Sequence, residues 1–544
     1  MKHGEKYTLG VIVLIIAGSV LFQHLYGPTI PLTDEWYHIE WINIVEVAGL
    51  ESLGSIREFR YLDHHVIVPF FLYWGIMELC GYNSGILILV LTTPLFITQT
   101  ILYSQWVGKY DWKIISIFIL VLSPARYMEF LWGWQHTITL SITLPVIALA
   151  VLDSGNAKGI LPKSPIFNLG IGIRQLYHPF LFVPGIILLG TLSSAGGLFG
   201  FLAIAGYIFI KNYTLPNKII GIAFTLASGM ATYLWLFAGR DNGEYNFTLK
   251  IIPMILCALG GAIIGNPDAD YQFNNPLRLA IGAIFCLVML VMAYRSWKSR
   301  SVSEYAFPIA LIALGFMLIG VISLSRPYLG NWHLQHILPT ICGATIWSIS
   351  LRKKDQNILS IGSFWTMMIL SWMGVIGWYR GFTEWGPDYA AYIAKHEAHM
   401  TAYLINPYAK PPTQSGVGIR MQSALMFAAH KHPIYHERIS KYYPSEFELL
   451  QIYENFEPQG LSYIIKEKIE ERKLIWLVVK KSDTPATIIK GKIGDKEILF
   501  WNLHRELLLR TDPNGENADY FATMLYPRLL GNTKGKLQFI DVRN

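Results

Sequence analysis

The chain has 544 residues, 53% of them hydrophobic and 15% charged, with a mean hydropathy of +0.37. That composition excludes an ordinary soluble surface and reads as a polytopic α-helical membrane protein. The net charge of +7 does not indicate a nucleic-acid partner, because the basic residues form short clusters between apolar runs and no continuous stripe.

The N-terminal "MKHGEK" and the apolar residues 7–26 have the charged and apolar parts of a signal sequence without a small-residue cleavage site, so an uncleaved anchor is expected. A bilayer core of about 30 Å needs about 20 apolar residues per helix. On that basis about eleven transmembrane helices are expected, near 7–25, 85–107, 113–124, 136–152, 166–191, 196–210, 219–238, 277–294, 305–324, 337–351 and 358–379. Lys and Arg of short loops collect on the cytoplasmic side. Alternate loops carry Lys2 and Lys6, Lys109 and Lys113, Lys158 and Lys163, Lys211 and Lys218, then Arg295 with Lys298 and Arg300, and finally Arg352, Lys353 and Lys354. This alternation requires that the short apolar segments 66–80 and 251–265 do not cross, so both are expected to be interfacial or re-entrant. The outer face then receives "TDEWYHIEW" (33–41), "SPARYMEFLWGWQH" (123–136), residues 240–276 and "SRPYLGNWHLQH" (325–336).

From about residue 381 charged residues become frequent. "SEFELLQIYENF" (445–456) is patterned as an amphipathic helix, and "KLIWLVVKKS" (473–482) and "KEILFWNLH" (496–504) alternate as strands. The expected organisation is a transmembrane domain over 1–380 and a soluble α/β or α+β domain over 381–544, facing outward. Cys80, Cys257, Cys286 and Cys342 lie in or beside apolar segments without CxxC spacing, which indicates neither a disulfide framework nor a metal site.

The outer stretches repeat carboxylates and bases: Asp34, Glu35, Asp63, His64, His65, Arg126, Glu129, His136, Arg326, His333 and His336. They read either as a cavity in which a carboxylate acts as base and cations hold an anionic headgroup, or as solvated loop polarity. Asp34 stands out, because an acid beside the first span and next to Trp36 and Tyr37 is placed where lipid-linked substrates present their polar heads. Arg174 falls inside an apolar segment, where a cation costs about 2.5 to 3.5 kcal/mol, so it faces a polar cavity, an anionic ligand such as a lipid phosphate, or a charge on a neighbouring helix. Trp132, Trp134 and Gln135, in "EFLWGWQ", belong either to an interfacial aromatic belt or to a sugar-stacking platform. Asp63, His64 and His333 are candidate ligands for a divalent metal ion, although no HExxH-type spacing is present.

The order of these features resembles the GT-C superfamily of membrane glycosyltransferases, in particular the branch of the lipid A aminoarabinose transferases and protein O-mannosyltransferases. That family has an acidic "DE" and an aromatic in its first outer loop, then a "HPPLYYW"-like interfacial helix; here stand "DEWYHIEW" and "HHVIVPFFLYWGIMELCG". A crossing helix, a basic inner turn and a helix ending in "SP" with an acid following are similar to "VGKYDWK" and "LSPARYME". The family's lysine-containing segment and "K...YILP"-like stretch resemble "IRQLYHP" and "SRPYLGNWHLQHILP". The resemblance covers most of residues 1–350. It departs from the family where Arg174 replaces a lysine, where Glu129 replaces an aspartate, and in "WGWQ", which is closer to bacterial members that decorate cell-surface polysaccharide.

The resemblance implies a GT-C fold in a bacterial inner membrane and transfer of a sugar from a polyprenyl-phosphate donor to a glycan, lipid or protein acceptor at the periplasmic face. Asp34 would be the base of an inverting displacement, with Arg174, Arg326, Arg126 and His65 on the donor phosphate. Glu35, Asp63 and Glu129 would orient groups or hold a divalent ion, and Trp36, Tyr37, His64, Trp132, Trp134, Gln135, His333 and His336 would line the substrate cavity. The competing class is a transporter or flippase of lipid-linked sugars. Such proteins often carry inverted repeats, and no such symmetry is visible here.

Overall fold

A computed structural model describes residues 3–32, 34–55, 59–61, 64–107, 111–154, 179–238, 250–266 and 269–393, together with five strands between 475 and 543. The chain divides into two compact units, one of 1–28, 60–71 and 85–390, the other of 29–59, 72–84 and 391–544.

The first unit is helical. Among the described residues, eight helices are long and apolar enough to cross a membrane: His3–Tyr26, Ser84–Ser104, Ile114–Leu131, Gly133–Asp153, Leu215–Leu236, Pro276–Lys298, Val302–Ser325 and Ile358–Ile393. The chain is therefore a polytopic helical membrane protein. The shorter helices Phe199–Ile210 and Leu338–Lys354 lie at two further expected spans and Pro179–Thr191 at the described end of the third. Their faces follow the logic of packing in lipid, where small residues let helices approach and large apolar ones face the tails. In the helix Leu215–Phe237, Gly221, Thr225, Gly229 and Thr232 are buried, with Gly229 closely approached by the Phe201 ring. Ile219, Ile220, Met230 and Leu234 of the same helix are exposed.

Polar contacts tie together loops that the charge pattern assigns to one side. Lys353 donates to the Val107 carbonyl (2.7 Å), Arg295 pairs with Asp355 (2.6 Å), and Lys354 pairs with Glu304. Tyr207 and Lys211 both meet Asp153, at 2.5 and 2.9 Å. The segments assigned to the other side also meet one another. The backbone of Val68 donates to Leu192, His136 Nε2 lies 3.3 Å from the Pro69 carbonyl, and residues 269–270 pair as a short strand with 329–330.

The segments 66–80 and 251–265 form helices Ile67–Cys80 and Ile251–Ile264 of 14 residues each, which at 1.5 Å per residue reach about 21 Å, short of a 30 Å core. The second descends beside Pro276–Lys298, because Gly260 lies on the main chain of Arg278 and Gly282 on that of Leu256.

Two expectations need correction. Residues 123–136 are not a solvated loop: after a break at Leu122 and Ser123 they continue as short helical turns, and Arg126, Glu129, Gln135 and His136 are all fully buried. The helical run of the last span also continues past residue 381 to Ile393, through a π-helical turn Gly381–Trp385 whose Phe382 carbonyl accepts from the Tyr26 hydroxyl at 2.9 Å. A π-turn shifts the helical bonding register, and the tyrosine meets the carbonyl from outside the helix.

In the second unit, the strands Ile475–Lys480 and Lys496–Asn502 fall where alternation placed them. With Ile488–Ile493, Tyr520–Leu525 and Leu537–Arg543 they form an antiparallel sheet, ordered 475–480, 520–525, 496–502, 488–493, 537–543. The helix expected at 445–456 lies outside the described residues.

The glycine contacts give a direct test of the re-entrant packing. A side chain at Gly282 would run into the main chain of Leu256, which cannot turn aside, whereas nothing lies within 4 Å of Gly320. Gly282→Val is expected to destabilise the detergent-solubilised protein by about 1 to 3 kcal/mol, read as a lower melting temperature, while Gly320→Val is tolerated.

Candidate functional site

In the second unit, Asp34 and Glu35 open the helix Glu35–Ala48 and have different surroundings. Glu35 is fully buried. Its Oε2 accepts from the Leu32 backbone N–H at 2.9 Å and its Oε1 from the Ser84 hydroxyl at 2.5 Å. Those two bonds make it a strap between the chain entering the helix and Ser84. Asp34 occupies the N-cap position in helical conformation, is partly exposed, and makes no capping hydrogen bond with its side chain. Trp36 is buried and Tyr37 half-buried, the latter 6.5 Å from the Trp41 ring.

In the first unit, the site is built where the helix Ile114–Val121 ends inside the bundle. Lipid offers no partner for the carbonyls of a broken helix. Arg126 supplies one: its Nη1 and Nη2 donate to Leu120 and Val121 at 2.7 and 2.5 Å, and its Nε pairs with Glu129 Oε2 at 2.6 Å. The guanidinium expected on a donor phosphate is therefore turned inward and held by protein. His65 is likewise buried, its Nε2 3.2 Å from the Leu236 carbonyl, which makes it a tie to the helix Leu215–Phe237.

The segment Asn331–Ile337 brings a buried group of amides and histidines to this end. Asn331 accepts from the Met128 N–H at 3.2 Å and donates to the carbonyls of Ala125 (3.1 Å) and Asn266 (3.0 Å), locking three stretches together. Gln335 Nε2 donates to Gln135 Oε1 at 2.7 Å, and its Oε1 accepts from Thr139 at 2.9 Å. His333 Nδ1 accepts from the Gly330 N–H at 3.0 Å, so the neutral ring carries its proton on Nε2. His336 Nδ1 lies 3.1 Å from the His333 carbonyl and must donate to it, leaving Nε2 as an acceptor. Burial, with the neighbouring His336, Arg326 and His64, holds His333 well below the usual imidazole range. Burial, then His64 and Arg326, lowers His336 to about 4, against the opposing pull of the His333 carbonyl.

These two neutral rings share their surroundings with His64, whose Nδ1 is 3.3 Å from Ser194 Oγ, and with the exposed Arg326, which donates to the Tyr328 hydroxyl at 3.2 Å. A row of rings runs beside them: Tyr271 to Tyr328 (5.3 Å), Tyr328 to Trp332 (6.0 Å) and Trp332 to Trp132 (6.1 Å). Trp134 packs apart, against Tyr61 at 4.8 Å. Glu129 Oε1, Trp132 Nε1 and Gln135 Nε2 are buried without a hydrogen-bond partner. Each such atom costs about 1 to 3 kcal/mol.

The structure thus brings together Arg326, His64, His333 and His336 near Trp132, with Glu129 and Gln135 behind. Arg174 and Asp63 lie outside the described residues. Among the described residues no group of three or more His, Cys, Asp or Glu is placed to hold a metal ion. Asn331, Gln335, Ser194 and Trp332 were not singled out from sequence; two amides within a short His-rich stretch were the available signal. Comparison of the chain with protein-family models, curated proteins and solved structures finds no match.

Removing one partner of the buried pair leaves the other charged and uncompensated. Arg126→Met is expected to destabilise the protein by about 3 to 5 kcal/mol, and adding Glu129→Gln recovers much of that loss, both measured by thermal unfolding in detergent. The histidines make a second prediction. Their protons are taken up by the unfolded chain below about pH 6.5 but by folded His336 only near 4, so the unfolded state binds more protons between those values. Stability is expected to fall as pH drops from 6.5 toward 4 and to stay level above; His336→Asn should flatten that fall.

Proposed function

We propose that the protein is a membrane glycosyltransferase of GT-C type that moves a sugar from a polyprenyl-phosphate donor to an acceptor hydroxyl on the outer face of a bacterial inner membrane. The observation that carries this reading is the cluster of one exposed cation, three histidines and a row of neighbouring aromatic rings on the segments that the charge pattern assigns to the outer face. A lipid phosphate needs fixed N–H donors and a cation; Arg326 offers the charge and His333 Nε2–H a directed donor. The aromatic row suits a sugar. A flipped lipid carrier is the activated sugar available on that side, since nucleotide sugars are cytoplasmic. Eight helices long and apolar enough to cross a membrane, at expected spans, support a polytopic frame for this reading, and the C-terminal sheet is the proposed acceptor-binding region.

Asp34 is the proposed base. It takes the proton of the acceptor hydroxyl as that oxygen attacks the anomeric carbon; the bond from that carbon to the phosphate oxygen breaks, and the polyprenyl phosphate leaves with the electron pair. One displacement inverts the anomeric configuration. General-base catalysis contributes about 10² to 10⁴ in rate, so Asp34→Asn should insert normally and lose at least about 100-fold in transfer. The check is incorporation of labelled sugar into a larger product by membranes carrying each form; wild-type turnover in the variant would remove Asp34 from this role.

A further inference from the structure

We infer that Glu129, Trp132 and Gln135, with Trp332 lying across them, form a subsite for the hydroxyl groups of the transferred sugar ring. The inference rests on the donor reading above and adds which residues read the sugar. The three residues stand within one stretch of chain, in which Trp132 is extended between the short turns Tyr127–Leu131 and Gly133–Gln135. Each carries one buried atom without a partner, Glu129 Oε1 as an acceptor and Trp132 Nε1 and Gln135 Nε2 as donors. Asn266 Oδ1 is a fourth such atom, an acceptor on the stretch that Asn331 ties to Ala125. Buried polar groups in native proteins are nearly always paired, so a group of this kind calls for a ligand or for water.

The atoms are held in place from behind. Glu129 is fixed through its other oxygen by Arg126, and Gln135 through its own by Gln335. Glu129 and Gln135 are thus each anchored through one atom and unpaired at the other.

Charge and shape select the class of partner. A phosphate would meet the Glu129 carboxylate, and the exposed Arg326 is the better place for it. A cation would meet two N–H donors and the Arg126 guanidinium. A neutral ring with several hydroxyls fits all the groups at once, donating to Glu129 and Asn266, accepting from Trp132 and Gln135, and laying its C–H face on the edge-to-face pair Trp132 and Trp332, whose centroids are 6.1 Å apart. A tryptophan of an interfacial belt turns its N–H to the headgroups; that of Trp132 is buried, which argues against belt duty for this ring.

The test uses the full-length protein in detergent, with undecaprenyl phosphate and its glucosyl, mannosyl and galactosyl derivatives as probes, and compares their affinities. Wild type should bind at least one glycosylated lipid more tightly than the bare phosphate. Trp132→Phe keeps the ring and removes the donor, and should cut that preference by about 3- to 10-fold while leaving bare-lipid affinity unchanged. Arg326→Ala, by contrast, should weaken all four lipids together. Gln135→Met provides a second variant without its donor and should lose the same preference. A wild-type preference that survives in both Trp132→Phe and Gln135→Met, or no wild-type preference at all, would overturn the sugar subsite while leaving the phosphate site standing. Binding of none of the lipids would overturn the donor reading itself and the subsite with it.

Discussion

A helix that stops inside a membrane protein leaves carbonyls that lipid cannot satisfy, and the first unit depends on how that debt is met after Val121. Arg126 folds back onto the carbonyls of Leu120 and Val121 while Glu129 balances its charge, all within the stretch 120–129. Because this contact is complete, the following residues can turn within the bundle. They present Glu129, Trp132 and Gln135 toward the segment Asn331–Ile337, and Asn331 then joins the two stretches through Ala125 and Met128. The chemistry proposed for this end rests on a purely structural ion pair.

Electrostatics at that end are spare. Two of the three histidines are kept neutral by burial, so the cluster combines a single permanent cation with imidazoles whose tautomers are set by the main chain. Such a site can recognise a phosphate by direction as much as by charge. It would also release a lipid phosphate more readily than a nest of arginines would, an advantage where the leaving group has to depart after each turnover.

Much of the helical frame was legible in the sequence, because apolar length is a strong signal and lipid demands it. The alternation of basic loops was informative too: Val107, Arg295, Glu304 and Lys353 to Asp355 were grouped by charge and are grouped by contact. What misled was the break at Ser123 and Pro124. Residues 123–136 carry the polar and aromatic pattern of an outer loop, and sequence does not record that Arg126 bonds to carbonyls five and six residues behind it. The bonding of Glu35 was hidden for the same reason, since its partner Ser84 is 49 positions away. Asp34 and Glu35 are adjacent in sequence, yet only the structure separates a strap from a half-exposed carboxylate. The change of composition at 381 marked charge and not the end of the helix, which continues through a π-turn to Ile393.

The most direct measurement places polyprenyl-phosphate sugars carrying a labelled sugar in one leaflet of proteoliposomes in which the protein has a known orientation. The account predicts that label enters a larger product when donor and acceptor are supplied on the face bearing Arg326 and His333, and not when the donor is confined to the other leaflet. Movement of intact labelled lipid between leaflets without any product would contradict it and identify a transporter.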